Sequence, residues 1–169
     1  MFDKVFVALD GTPEARRACE IAIDIASRFG SSLTVGTVQA PSTAGENTEL
    51  ENLVPINSEG KTLPMLIEEL RTAALSRGVP SMEAVFLRGE VLASLLSYLN
   101  DHPHDLAITG SRGLSRGQRL LRGSVSAGLV NEAPCPVLVV RGRRAPRVPR
   151  VRPGAGTPPA SPNLSEERT

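Results

Sequence analysis

The sequence predicts an α/β fold: a five-stranded, open, parallel sheet in the order 3-2-1-4-5 with helices on both faces. Three observations point to it. Short β-rich runs alternate along the chain with helical stripes, the pattern of a parallel sheet whose crossovers are helices. The runs VFVAL (5–9) and VLVV (137–140) are apolar without alternation, as strands covered on both sides should be. Right-handed crossovers then leave few topologies. A chain of 169 residues suits one domain of ordinary size.

Residues 4–10 (KVFVALD) read as the first strand, ending in a carboxylate and Gly11. Thr12-Pro13 follows as N-cap and first helical residue. Ala15, Ala18, Ala22, Ile25 and Phe29 recur at helical spacing, and Gly30 stops the helix. Residues 32–38 (SLTVGTV) are a second strand. Residues 39–60 are polar and irregular. Residues 61–77 form a helix closed by Gly78, and 81–88 (SMEAVFLR) a third strand. Residues 90–100 form a helix with Leu92, Leu95, Leu96 and Leu99 on one face, and 105–110 (DLAITG) a fourth strand. A helix over 119–132 and a strand from Val137 to Val140 complete the pattern.

The formal charge of +1 averages two unlike pieces. Residues 1–140 carry 12 basic and 16 acidic side chains, whereas 141–169 carry seven arginines, two glutamates and six of the 14 prolines. The chain therefore divides into a folded domain over 1–142 and a basic, Pro-rich tail over 143–169. The tail is expected to be disordered, because it cannot bury enough apolar surface to offset its ordering entropy. No apolar run approaches the ~20 residues that span a bilayer, and no signal-peptide pattern is visible. Two cysteines, Cys19 and Cys135, make neither a disulfide framework nor a four-ligand zinc site. A cytoplasmic setting is expected. Aromatics at 3% exclude stacking platforms for single-stranded nucleic acid.

In open α/β sheets ligands bind beyond the carboxyl ends of the strands, where the strand order reverses. In the order 3-2-1-4-5 that point lies between strands 1 and 4, at Asp10-Gly11 and at the stretch GSRGLSRGQRLLRGS (110–124). Gly110 and Gly113 would let backbone approach an anion and adopt unusual φ. Gly123-Ser124 would put backbone N–H groups and a hydroxyl at a helix N-terminus. Arg112, Arg116, Arg119 and Arg122 concentrate positive charge within an acidic domain, which favours a polyanion.

The spacing Gly110-x2-Gly113-x9-Gly123-Ser124 resembles the G-x2-G-x9-G-[ST] nucleotide-binding motif of the universal stress proteins. The flanks DLAITGSRG, LLRGSVS and Ala133-Pro134-Cys135-Pro136 before VLVV are similar to that family, as is the opening VFVALDGTPEA. The resemblance covers about residues 2–142. It implies a Rossmann-like, adenine nucleotide alpha hydrolase-like domain that binds ATP, or AMP or ADP, with Mg2+ accompanying a triphosphate. It places adenine by Ala8, Leu9, Asp10 and Val38, and the ribose by Asp10 and Gly110. The phosphates fall to Thr109, Gly110, Arg112, Gly113, Gly123, Ser124, Val125 and Ser126. It also implies a homodimer paired through the strand from Val137 to Val140.

This chain departs from the family pattern at Ala15, where Ser is frequent, and at Arg122, where an apolar residue is usual. Gly128 costs its helix ~1 kcal/mol against Ala. Asp10 could equally cap the first helix, and Val38 could equally be a core strand end. The run Asp101-His102-Pro103-His104-Asp105 looks like a ligand cluster but precedes strand 4, at the amino edge, and reads as a solvated turn. Cys19 reads as a small core residue, and Cys135 lacks a CxxC partner.

Common enzyme patterns fail. Neither lysine, Lys4 nor Lys61, follows P-loop glycines; G-x-G-x-x-G is absent after strand 1; and no His follows Ser126 as an α/β-hydrolase triad needs. The expectation is an ATP-binding regulator of the stress-protein type. The alternatives are a slow ATP hydrolase or phosphotransferase, with Asp10 holding the metal, and a scaffold that binds a partner or DNA through its Arg-rich tail. Nucleic-acid binding is otherwise not expected.

Overall fold

The computed structural model describes residues 2–39, 60–111 and 125–141. Among the described residues nine elements follow in order: β1 (Lys4–Ala8), α1 (Pro13–Phe29), β2 (Ser32–Gln39), α2 (Leu63–Ser76), β3 (Met82–Arg88), α3 (Val91–Asp101), β4 (Leu106–Ser111), α4 (Val125–Glu132) and β5 (Val137–Arg141). The sheet is five-stranded in the order β3-β2-β1-β4-β5, and every pairing is parallel. This is the expected topology. Residues 40–59 of the irregular stretch, the start of the last helix and the tail lie outside the described residues.

Two apolar layers flank the sheet. On one face Val5, Val7, Leu33, Val35 and Ile108 pack against α1 and α2 through Ala18, Cys19, Ala22, Ile23, Leu66 and Leu70. On the other, Phe6 and Ala107 meet Leu95 and Leu99 of α3 and Leu129 of α4. Successive β1 residues thus point to opposite layers, which is why VFVAL is apolar throughout. Close packing brings Phe6 against Gly36, where an added Cβ would lie 2.3 Å from the ring.

Some boundaries differ from expectation. β1 ends at Ala8, not Asp10, because Leu9 donates its N–H to Gly36 O at 2.8 Å and the chain then turns at Asp10. β4 runs one residue further, to Ser111, in register with Arg141 of β5. α2 starts at Leu63 and stops at Ser76. α3 starts at Val91, capped by Glu90, whose carboxylate accepts the Ala93 N–H at 2.8 Å.

Candidate functional site

The strand order reverses between β1 and β4, so the carboxyl ends of these strands frame the crevice expected from the sequence. Leaving β1, Asp10 Oδ1 accepts the Thr12 N–H at 3.0 Å and the Thr12 hydroxyl at 2.6 Å. Between them Gly11 adopts φ 79°, a left-handed conformation that suits glycine. Thr12 Oγ1 in turn accepts the Ala15 N–H at 3.2 Å and caps α1. Asp10 therefore belongs to the turn that opens α1, its carboxylate exposed at the strand end. Thr12, not Asp10, is the cap of α1; Asp10 instead holds Thr12 at the switch point.

On the β4 side, Thr109 is buried and its hydroxyl lies 3.4 Å from Gly110 O. Gly110 departs from expectation. It is extended within β4 and is not among the positive-φ glycines. Its missing side chain serves packing: a Cβ there would lie 2.8 Å from Ala15 N and 2.8 Å from Glu14 C, the backbone of the first turn of α1. The glycine at the crevice lets the N-terminus of α1 close against β4.

Of the other expected residues, Ala8 ends β1, paired with Gly36 and half-buried. Leu9 is 2% exposed and its side chain sits in the α1 core layer, so only its backbone can serve a ligand. Val38, paired with Leu87, packs against the α3 layer. Val125 opens the described part of α4 half-buried, and Ser126 beside it is buried. Arg112, Gly113, Gly123 and Ser124 lie outside the described residues. Thr12 was not expected from the sequence to hold Asp10; the Asp-Gly-Thr turn motif was its only signal.

The architecture now has a name. The sequence profile of the universal stress protein family matches residues 1–141. The chain belongs to this family. A universal stress protein of Thermus aquaticus is 34% identical over 144 residues, covering 83% of this chain and all of the relative. Universal stress protein YxiE of Bacillus subtilis is 28% identical over 149 residues, with 83% and 100% coverage. Among solved structures, a universal stress protein in complex with cAMP superposes with a TM-score of 0.66 at 23% identity, covering 82% of this chain and 97% of that one. A universal stress family protein from Arabidopsis thaliana with AMP bound gives 0.61 at 23% identity, covering 88% and 96%. These structural likenesses carry the universal stress fold to this chain.

Two cavities lie away from the carboxyl-end crevice. One, of about 430 Å³, runs along α3 beside the end of β3, between Leu87 and Arg88 on one side and Ser94, Ser97, Tyr98 and Asp101 on the other. The second, of about 320 Å³, opens at the amino edge among Lys4, Thr34, Glu83, Tyr98 and His104. The crevice itself is described only at its β1 and β4 walls, because 40–59 and 112–124 are outside the described residues.

The amino edge also corrects an expectation. The 101–105 run is not simply a solvated turn. His102 stacks on Tyr98 with ring centroids 4.3 Å apart and an interplanar angle of 14°. His104 is half-buried, edge-on to Phe6 at 5.5 Å, and burial holds its imidazole below the usual histidine range. Asp105 Oδ2 accepts the N–H groups of Lys4 at 2.9 Å and Asp3 at 2.8 Å, which keeps its carboxyl below the ordinary value. Among the described residues no group of three or more His, Cys, Asp or Glu is placed to hold a metal ion. Cys19 is fully buried in α1, and desolvation, then Glu20 and Asp10, push its thiol up to about 12. Cys135 is partly buried, and its thiol is also raised by desolvation. No described helix is long and apolar enough to cross a membrane.

Proposed function

We propose that this universal stress protein binds an adenine nucleotide, ATP or its mono- or diphosphate, at the carboxyl ends of β1 and β4, and that occupancy regulates its contacts with other proteins. The observation that carries the reading is the switch point itself: Asp10 held by Thr12 on one wall, with Thr109 and Gly110 on the other. The sequence continues from there into Gly113, Gly123 and Ser124 with the family's phosphate-binding spacing. Structural neighbours with cAMP, AMP or dAMP support the adenine ligand.

In this reading Ala8, Val38 and the Leu9 backbone border the base, and Asp10 and Gly110 the ribose. Thr109, Arg112, Gly113, Gly123, Ser124, Val125 and Ser126 meet the phosphates. Backbone N–H groups at a helix start and arginine guanidinium groups suit a polyanion. Mg2+ would travel with the phosphates, whose oxygens are its natural hard ligands. The protein acts as a binder rather than an ATPase, works in the cytoplasm, and pairs as a homodimer along the β5 edge, where Leu138 is exposed.

Calorimetry on nucleotide-stripped full chain tests the reading. Saturable binding of ATP or AMP, lost in Gly113→Val or Gly123→Val, is the expected result. Absence of binding by the unaltered protein would overturn it. A turnover assay with Asp10→Ala separates binder from hydrolase, since phosphate release that Asp10→Ala abolishes would favour the hydrolase.

A further inference from the structure

The amino edge of the sheet, opposite the nucleotide end, holds a chain of hydrogen bonds that the proposed function does not use. Thr34 on β2 pairs with Phe6 on β1 and Glu83 on β3, so the three residues are cross-strand neighbours. Thr34 is 5% exposed, and its hydroxyl lies 3.0 Å from Glu83 Oε1 and 3.2 Å from His104 Nε2. His104 Nδ1 lies 2.6 Å from the His102 carbonyl oxygen. The link spans 70 residues of sequence between His104 and Thr34 and 49 between Thr34 and Glu83.

The donor and acceptor count leaves few arrangements. A carbonyl only accepts, so Nδ1 of His104 must carry a proton. In the neutral ring Nε2 is then an acceptor. Thr34 has a single hydroxyl proton, and both Nε2 and the Glu83 carboxylate compete for it. A second proton on the ring removes the competition. Nε2–H donates to Thr34 Oγ1, and the Thr34 hydroxyl donates to Glu83. Every donor then has an acceptor, and the chain runs from a cation to an anion.

We propose that His104, Thr34 and Glu83 form a proton-operated clasp, in which protonation of His104 sets the direction of the Thr34 hydroxyl and ties the α3–β4 turn to β2 and β3. The charges around His104 bear on it from each neighbouring element. Glu83 on β3 favours the imidazolium, while Lys4 on β1 and His102 after α3 oppose it. Asp105 follows it in the chain, and the Tyr98 ring of α3 lies 6.0 Å from the imidazole. Burial opposes the charged form, so the clasp engages on acidification rather than at neutral pH. The cavity at this edge, bordered by all three clasp residues, gives the proton access.

The test is a pH titration of the histidine side-chain ¹⁵N and ¹³C resonances in the full chain, with His104 assigned by His104→Gln. Neutral His104 is expected as the Nδ1–H tautomer, the minor form of a free imidazole. Glu83→Gln, at an exposed residue, and Thr34→Val should each lower the His104 midpoint, by about half a pH unit for Glu83→Gln, and Thr34→Ser should restore it. If Thr34→Val fails to fold, the tautomer of neutral His104 and Glu83→Gln carry the test. An Nε2–H tautomer, or a midpoint that Glu83→Gln leaves unmoved, would overturn the proposal. Nucleotide binding is not involved, so the outcome is independent of the proposed function.

Discussion

Gly110 is a position where one methyl group collides with backbone rather than with a side chain that can move aside. With Ala15 N and Glu14 C each 2.8 Å from an added Cβ, Gly110→Ala must push α1 away from β4. It should cost about 1–3 kcal/mol, as overpacking does, seen as a lower midpoint in denaturant unfolding. Thr12 acts at the same junction from the other side. Thr12→Ala removes the cap on Ala15 N and the hydroxyl that donates to Asp10 Oδ1, leaving the backbone N–H at position 12, and should cost about 1 kcal/mol. The variant should also weaken AMP binding in calorimetry, because Asp10 loses one of the two Thr12 donors that orient it. At Cys19, burial and a thiol pushed up to about 12 imply an inert sulfur. Thiol titration with a disulfide reagent at pH 8 should leave Cys19 unmodified in the native protein and label it in denaturant. Rapid native labelling would mean that α1 opens from the sheet.

At the scale of elements, α1 and the central strands were legible because each carries its own local signal. The Thr12 cap, Pro13 and the Gly30 stop at φ 67° are all short-range chemistry, and all three appear in the structure. Boundaries were less legible. Nothing in VFVALD distinguishes Ala8, still paired, from Leu9, whose N–H reaches Gly36 O as the chain turns. Gly128 was read as a cost to its helix, yet a Cβ there would lie 2.3 Å from Leu92 Cδ2, so it lets α4 approach α3. That requirement depends on a helix 36 positions earlier and leaves no mark in the local sequence. At the amino edge the solvated-turn reading fits Asp101, His102, Pro103 and Asp105, which are exposed, but not His104, which the fold brings beside Thr34 and Phe6. The carboxyl-end crevice was legible in location from the strand order. The packing role of Gly110 was not.

The whole molecule couples its stability to pH through groups at the amino edge. The His104 imidazole is held below its ordinary value of 6.5 in the fold, so the unfolded chain takes the proton first. Stability from this group is present above pH 6.5 and is lost as the pH falls through the folded value. Asp105 contributes by the same sign lower down, where its N–H-bonded carboxylate is protonated, below its ordinary 3.8. Thermal unfolding midpoints should therefore fall between pH 7 and 5.5, and His104→Gln should flatten that part of the curve while leaving the loss at lower pH. Charge is divided as well. The tail carries most of the positive excess, whereas the folded part concentrates four arginines between positions 112 and 122. Truncation after residue 142 should accordingly leave AMP affinity unchanged.

The central claim is that an adenine nucleotide binds where β1 and β4 part, and amide chemical-shift mapping of the stripped full chain titrated with AMP tests it most directly. Saturable shifts are expected at Ala8, Asp10, Gly11, Val38, Thr109 and Gly110, with His102, His104 and Glu83 unmoved at constant pH. An AMP titration that moves only the amino edge, or moves nothing at millimolar nucleotide, would contradict it.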